Sequence, residues 1–187
     1  MKGKHVYLPG GDVTRSRAQL LVNTVNVVGV MGAGVALAFK KAWPAIMPPY
    51  KEACRDKTLR PGGCLLFPLP DGPNGTGRLW AALATKEHWL NPSKLTWIDT
   101  GLAELARLAT AAGVRTIALP PPGCGHGKLK WTQVHPLVLK HLGDFDLEIY
   151  AEQLAPAPGQ ALGQQVRRPV QQSLFDARDA GEEGPGP

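Results

Sequence analysis

Several features are scarce or missing in this sequence of 187 residues, and each absence narrows the class of protein. Its three cysteines, Cys54, Cys64 and Cys124, form no Cys-x-x-Cys pair, which argues against a disulfide framework and a zinc site. No apolar run approaches the roughly 18 residues of a membrane span, and the first residues lack the apolar core of a secretion signal. The 22 glycines and 18 prolines follow no Gly-X-Y period, which excludes collagen. We therefore expect a globular, cytoplasmic protein that does not associate with membranes.

The positive charge is concentrated in one part of the chain. The net charge is +6, of which residues 1–152 carry +7 and residues 153–187 carry −1. A basic domain suits a polyanionic partner such as nucleic acid, although the same charge can serve solubility alone. Residues 153–187 are rich in Pro, Gly, Gln and Ala, which predicts a disordered tail after a single folded domain, 1–152.

Strand-like and helix-like segments alternate through that domain, which predicts a layered α/β fold with functional groups in loops that leave strands. Apolar, β-branched segments predict strands at 5–9, 20–25, 63–69, 79–85, 115–120 and 145–150. The sequence pattern predicts helices at 34–43, 46–54, 93–113 and 131–142. We expect Ser93 to cap the long third helix and Gly113 to end it.

Two glycine-rich loops each follow an apolar strand and precede a helix. They read NTVNVVGVMGAGVALAF from residue 23 and PPPGCGHGKLKW from residue 120. Such loops let backbone N–H groups approach a phosphate, and the following helix N-terminus adds partial positive charge. Neither loop carries the Lys-Ser/Thr of an ATP-binding P-loop. Each alone can be a tight turn, but the pair suggests a ligand with two phosphates.

Polar side chains lie near the ends of the predicted strands. Asn23 and Asn26 belong to an apolar segment; a buried Asn must be hydrogen-bonded, and beside a phosphate loop it can bind a ribose hydroxyl. Asp12 can cap a turn or accept a hydrogen bond from a purine amine. Lys86 directly follows a buried strand, where partial burial would lower its pKa and make it a nucleophile or an acid, although a solvated surface charge is the alternative. We expect His88 to be structural or to position other groups.

Taken in this order, the motifs resemble the macrodomain family and, within it, the DarG-type macrodomains, antitoxins that remove ADP-ribose from DNA. NTVNVVGVMGAGVALAF, TKEHW and PPPGCGHGKLKW match three motifs of that family, and the resemblance spans roughly residues 4–150. It implies a three-layer α/β/α sandwich on a mixed sheet. It also implies an ADP-ribosyl glycohydrolase that releases thymidine-linked ADP-ribose from DNA and needs no cofactor or metal.

The resemblance also assigns roles to residues. Lys86 matches the catalytic lysine of the family, Asp12 its adenine contact and Asn26 its contact with the distal ribose. The other expected ADP-ribose-binding residues are Val13, Gly29, Val30, Met31, Gly32, Ala33, Gly34, Pro121, Gly123, Cys124, Gly125, His126 and Gly127. Three further residues are candidates for an auxiliary or DNA-contacting role: His88, Lys128 and Lys130. The family usually has Gly where this chain has Lys128.

Two other functions stay open at this point: a hydrolase of ADP-ribose esters on protein Asp or Glu, and a reader that binds ADP-ribose without cleaving it. Gly127 favours the DNA-directed class, because the ester-cleaving class has an Asp near that position. The expected partners are ADP-ribosylated DNA and a DNA ADP-ribosyltransferase toxin.

A short motif in the tail suggests a further partner. QQSLF at 171–175 resembles the pentapeptide that binds the bacterial sliding clamp, with Gln171 at the rim of the clamp pocket and Leu174 and Phe175 inside it. A chance match in a Gln-rich segment is the alternative.

Overall fold

A computed structural model describes residues 2–70 and 76–154. Of the predicted disordered tail, 153–187, all but the first two residues lie outside the described residues, as does its motif at 171–175. The described strands are β1 (His5–Tyr7), β2 (Leu20–Val25), β3 (Cys64–Pro68), β4 (Leu79–Ala84), β5 (Thr116–Leu119) and β6 (Asp146–Ile149). The described α-helices are α1 (Gly34–Ala42), α2 (Met47–Arg55), α3 (Leu95–Ala111) and α4 (Trp131–Leu142). Each predicted strand and helix is therefore present, with ends that differ by up to two residues.

The strands form one mixed sheet in the order β1-β6-β5-β2-β4-β3. All neighbouring pairs are parallel except β3 and β4, which pair antiparallel from Cys64↔Leu83 to Pro68↔Leu79. The predicted mixed sheet is confirmed. Because β1, β2, β4, β5 and β6 run in the same direction, their carboxyl ends meet along one edge of the sheet.

Helices cover both faces of the sheet, as the sandwich prediction requires. Alternate residues of β2 point to opposite faces, so Leu20 and Val22 pack with α3 and α4, and Leu21 and Val25 pack with α1 and α2. Trp80 and Phe39 are fully buried in the second of these cores. No helix of the described residues is long and apolar enough to cross a membrane.

The predicted cap at Ser93 is wrong. Helix α3 begins at Leu95, its N-cap position is Lys94, and no side chain caps it by a hydrogen bond. Ser93 instead donates its backbone N–H to the carbonyl oxygen of Gly127 at 2.9 Å, which ties it to the second glycine loop. The prediction for Gly113 is confirmed, since this residue follows the helix with a φ of +68°.

Helix α3 approaches the sheet closely where two glycines face each other. A Cβ on Gly101 would lie 2.7 Å from Leu83 Cδ1 and 3.5 Å from the carbonyl oxygen of Gly62. Gly62 has a φ of +79°, and a Cβ there would lie 2.6 Å from Thr100 Oγ1 and 3.1 Å from Trp97 Cα. Both the backbone conformation and the contact with α3 therefore require glycine at position 62.

We expect Gly62→Ala to lower the free energy of unfolding by about 2–4 kcal/mol, because a strained φ and a steric clash act together. Gly113→Ala is the matched control. Its φ is also positive, but nothing lies within 4 Å of the added Cβ, so the cost is that of the backbone alone, about 1–2 kcal/mol. Urea denaturation of both variants measures the difference, and equal losses would contradict close packing at Gly62.

Candidate active site

The predicted site residues lie in loops at the edge of the sheet where the parallel strands end. The first glycine loop follows β2, the second follows β5, and Lys86 comes two residues after β4. Asp12 follows β1 and begins a 3₁₀ turn at Val13–Arg15. The parallel topology brings these four segments together although up to 115 residues separate them in sequence.

A cleft of about 290 Å³ opens between the segment after β1, the start of α1 and the end of β5. It brings together the predicted residues Asp12, Val13, Gly34 and Pro121. The sequence analysis missed five lining residues: Gly11, Val35, Ala38, Pro120 and Tyr150. These residues lie just beyond a strand or on the first turns of α1, and this position in the sequence could have identified them as lining residues.

Asp12 combines a structural role with an exposed carboxylate. Its Oδ1 accepts hydrogen bonds from the N–H and the hydroxyl of Thr14, at 2.9 and 2.7 Å, and so caps the 3₁₀ turn. Its Oδ2 lies 3.9 Å from Arg15 Nε in an exposed ion pair. The cap prediction is confirmed, and the carboxylate lines the cleft, where it can meet a ligand.

Tyr150 forms one wall of the cleft and contacts Gly11, where an added Cβ would lie 2.9 Å from the tyrosine ring. Its hydroxyl donates to Glu148 Oε2 at 3.2 Å. Burial, followed by the charge of Glu148, raises the pKa of Tyr150 to about 12. The tyrosine is therefore neutral at physiological pH and offers its ring as an apolar surface.

Asn26 shapes the first glycine loop. Its Nδ2 donates to the carbonyl oxygen of Val30 at 2.7 Å, and its Oδ1 accepts from the N–H groups of Val28 and Val30 at 3.1 and 3.3 Å. Tyr50 donates its hydroxyl to the Asn26 carbonyl oxygen at 2.8 Å, and burial raises the pKa of Tyr50. The Asn26 side chain thus holds the first glycine loop in shape. One Nδ2 hydrogen makes the bond to Val30, and the other remains for the predicted ribose contact.

Asn23 is fully buried but only partly satisfied. Its Nδ2 donates to Met31 Sδ at 3.7 Å, while its Oδ1 has no hydrogen-bond partner among the described residues. Met31 is itself buried and packs in the core beneath α1 and α2. Any contact between Met31 and a ligand is therefore made by its backbone.

The rest of the first loop leads into α1. Gly29 has a φ of +81° and lies against Lys51 and Cys54, while Gly32 and Ala33 are exposed. Ala33 is the N-cap residue of α1 and makes no side-chain capping bond. The backbone N–H groups of the first helical turn are thus not capped by that side chain, and they can bind an anionic group.

The second glycine loop is compact because two of its glycines are packed against other backbone. A Cβ on Gly127 would clash with the carbonyl oxygen of Gly123 and with Ser93 Oγ. A Cβ on Gly123 would lie 3.0–3.1 Å from three side chains, among them Leu129 and Ile98. Cys124 donates to the Pro122 carbonyl oxygen at 3.6 Å, and burial raises the pKa of its thiol to about 11. Gly125 is exposed at the tip.

Lys86 is buried, with 9 % of its surface exposed, and joins two loops. Its Nζ donates to the carbonyl oxygen of His126 at 2.5 Å and to that of Trp89 at 3.1 Å. Burial, followed by the positive charge of Lys128, lowers the pKa of Lys86. A buried amine with a lowered pKa has a larger neutral, nucleophilic fraction than an ordinary surface lysine.

His126 connects Lys86 to the first glycine loop. Its carbonyl oxygen accepts from Lys86, and its ring lies against Gly34, where an added Cβ would be 3.4 Å from His126 Cδ2. Because Gly34 also lines the cleft, the two contacts of His126 link the cleft to Lys86. The residues Asp12, Gly34, His126 and Lys86 that this chain of contacts joins are named here the candidate ligand surface.

Of the three auxiliary candidates, His88 follows Lys86 by two residues, and Lys128 is near enough to affect the pKa of Lys86. The rings of His88 and Trp89 are 3.8 Å apart, and His88 Nδ1 accepts from the N–H of Leu90 at 3.3 Å, so His88 shapes its own loop. Lys128 and Lys130 are exposed in the segment before α4. No group of three or more potential metal-binding side chains is found among the described residues.

Comparison with known proteins agrees with the fold described above. The family model described as "Macro domain" matches residues 22–138. A protein of Mycobacterium tuberculosis named DNA ADP-ribosyl glycohydrolase is 38% identical over 143 residues, which is 75% of this chain and 40% of that protein. A Thermosipho africanus protein named as a DNA ADP-ribosyl transferase–DNA ADP-ribosyl glycohydrolase fusion is 32% identical over 159 residues, 78% of this chain and 41% of that protein.

A solved structure of the macrodomain of Mycobacterium tuberculosis DarG superimposes with a TM-score of 0.72 at 35% identity. The match covers 81% of this chain and all of that one. The chain spans 34–41% of the length of four curated relatives that it matches. The matched residues include both glycine loops and Lys86, and the chain belongs to the Macro domain family.

Proposed function

We propose that this protein is a DNA-directed ADP-ribosyl glycohydrolase that releases thymidine-linked ADP-ribose and uses Lys86 as its catalytic residue. The observation that carries the proposal is the buried Lys86 amine, held by two loop carbonyls at the end of a surface suited to a nucleoside diphosphate. Relatives named DNA ADP-ribosyl glycohydrolase support the choice of substrate.

Different residues bind different parts of ADP-ribose in this proposal. The cleft at Asp12 and Tyr150 takes the adenosine end, because an apolar wall and a carboxylate suit a purine with its amine. The two glycine loops take the diphosphate, since the uncapped α1 N-terminus lies in one of them. The distal ribose then lies near His126 and Lys86.

In the reaction, the neutral Lys86 amine attacks C1″ of the distal ribose. The bond from C1″ to the thymine nitrogen breaks, and the base leaves with the electron pair and takes up the proton that the attacking amine loses. Water then adds to C1″ and releases the amine, so the net change is hydrolysis of one glycosidic bond to ADP-ribose and unmodified DNA.

The second loop argues against the ester-cleaving class. A side chain at position 127 would clash with the Gly123 carbonyl oxygen and with Ser93, so an Asp at position 127 itself has no room in this loop conformation. Gly127 therefore favours DNA-linked over carboxylate-linked ADP-ribose.

We expect Lys86→Ala to lower turnover on ADP-ribosylated single-stranded DNA by a factor of at least about 100, in the range lost with one positioned proton-transfer or nucleophilic group. Release of free ADP-ribose measures this, with a protein ADP-ribosylated on glutamate as the parallel substrate. Lys41→Ala, at an exposed lysine in the last turn of α1, is the matched control and is expected to keep full turnover.

Turnover by the wild type on the protein substrate alone would assign the chain to the ester hydrolases. Binding of ADP-ribose with no turnover on either substrate would make it a reader.

The pH profile tests the role of Lys86 as a nucleophile. Because the neutral amine reacts, we expect kcat/KM to rise with pH and to level off once the pH exceeds the pKa of Lys86. That pKa is lowered from the ordinary value of 10.5. Lys128→Gly removes the positive charge that helps to lower the pKa of Lys86, so the plateau moves to higher pH. A rate that falls with rising pH through the same range would assign Lys86 as an acid.

The same Lys128→Gly variant is not expected to lose stability. Lys128 has a φ of +62°, which glycine adopts without strain. A thermal melt of the variant therefore separates a shifted pH profile from partial unfolding.

Two protein partners belong to this proposal. A DNA ADP-ribosyltransferase toxin would supply the substrate, as supported by the relative in which transferase and glycohydrolase are fused. The sliding clamp would bind the tail motif at 171–175 and bring the enzyme to replicating DNA.

We expect a peptide of residues 168–180 to bind the bacterial sliding clamp in a fluorescence anisotropy titration. Replacing Leu174 and Phe175 together with Ala removes the two apolar anchors and should abolish binding. Equal binding by the substituted peptide would reject the motif.

A further inference from the structure

Exposed large apolar side chains occur in two segments of the chain, the first glycine loop and the segment that follows Lys86. Among the described residues, the large hydrophobic side chains that are clearly exposed are Val28, Val30, Trp89, Leu90 and Leu95. The two valines lie in the first glycine loop, and the other three follow Lys86 in sequence. Scattered exposed apolar residues are ordinary, but a group gathered beside one site indicates that something covers it.

Trp89 is the largest of these side chains, and it is held in a fixed place. Its indole is 47% exposed, while the His88 ring packs against it with centroids 3.8 Å apart and planes inclined by 30°. Its carbonyl oxygen accepts the hydrogen bond from Lys86 Nζ. An aromatic ring that is both exposed and ordered next to a reactive group is suited to stack against a flat substrate.

Lysines adjoin this apolar group. The backbone bond from Ser93 N to the Gly127 carbonyl oxygen, at 2.9 Å, places the next residues of the two segments, Lys94 and Lys128, beside each other. Lys128 is near enough to Lys86 to lower its pKa, and Lys130 follows two residues later. The chain has no Asp or Glu at 88–98 or at 105–143, so within these two segments carboxylates do not offset the lysines.

These six residues are named here the docking surface: Trp89, Leu90, Lys94, Leu95, Lys128 and Lys130.

We propose that the docking surface binds a single-stranded nucleic acid segment beside the ADP-ribose site, with one base stacked on Trp89 and flanking phosphates bound by the three lysines. This inference rests on the proposed function and deepens it. Charge complementarity selects a polyanion, and the exposed indole selects one with free aromatic faces. A duplex keeps its bases stacked inside, so the surface selects single strands.

The test uses the full chain and an unmodified, fluorescein-labelled oligothymidylate of about ten nucleotides, within the site size of such surfaces. We expect Trp89→Ala to weaken binding roughly 5- to 150-fold, the range measured for loss of one base–aromatic stack. Trp89→Phe keeps a ring and should retain most of the affinity. Leu90→Asp, at a residue that is 75% exposed, should weaken binding by placing a negative charge on the docking surface.

The lysines are tested by salt dependence. Lys128→Gln and Lys130→Gln should each reduce the slope of log affinity against log salt by about 0.7, the value per phosphate contact on a single strand. Lys41→Gln, on the last turn of α1, removes the same charge away from the docking surface and should leave the slope unchanged. Far-UV circular dichroism of each variant confirms that it is folded.

Three results would overturn the inference: no binding of the oligothymidylate at low salt, equal affinity for the matching duplex, or wild-type affinity in both Trp89→Ala and Leu90→Asp. The unmodified oligonucleotide carries no ADP-ribose, so the result is independent of hydrolysis. If the oligothymidylate does not bind as expected, the proposed glycohydrolase activity is unaffected. If Lys86→Ala keeps its turnover, the proposal of a surface that binds single strands is unaffected.

Discussion

The geometry of the site depends on the pair of hydrogen bonds from Lys86 to the carbonyl oxygens of His126 and Trp89. A buried amine without acceptors would cost several kcal/mol, so the two loops must supply carbonyls to it. In return, the amine fixes the loops that follow β4 and β5 relative to each other. The two hydrogen bonds that offset the cost of burying Lys86 therefore also position its amine at the end of the candidate ligand surface.

Glycine makes that contact possible. The carbonyl of His126 reaches Lys86 because the second loop folds tightly on itself and on Ser93, and a side chain at Gly127 would prevent this. Sequence comparison treats such glycines as phosphate-binding positions, but the packing shows a second requirement. The loop must be compact enough to present a carbonyl to a lysine, whatever ligand its N–H groups bind.

Much of this arrangement could be predicted from the sequence, because it follows local rules. The periodicity of LLVNTV and WTQVHPLVLKHL gave the ends of β2 and α4, and parallel strands required the polar loops to share one edge. Contacts between distant segments could not be predicted. Ser93 has a capping residue's chemistry but bonds to Gly127, and Tyr150 enters the cleft only because β6 lies beside β5.

In the proposed reaction, binding and catalysis act at different ends of the candidate ligand surface. The proposed contacts at Asp12, Tyr150 and the glycine loops involve parts of ADP-ribose that do not change during hydrolysis, so they would stabilise ground state and transition state equally and set affinity. Rate enhancement would then come from Lys86 and from groups that alter its charge, and Lys128 is one of these. The lysine at position 128 would therefore have two effects that salt weakens in the same direction: it attracts a polyanion over a distance, and it favours the neutral form of the Lys86 amine. Because screening weakens both, rate and affinity should fall together as ionic strength rises.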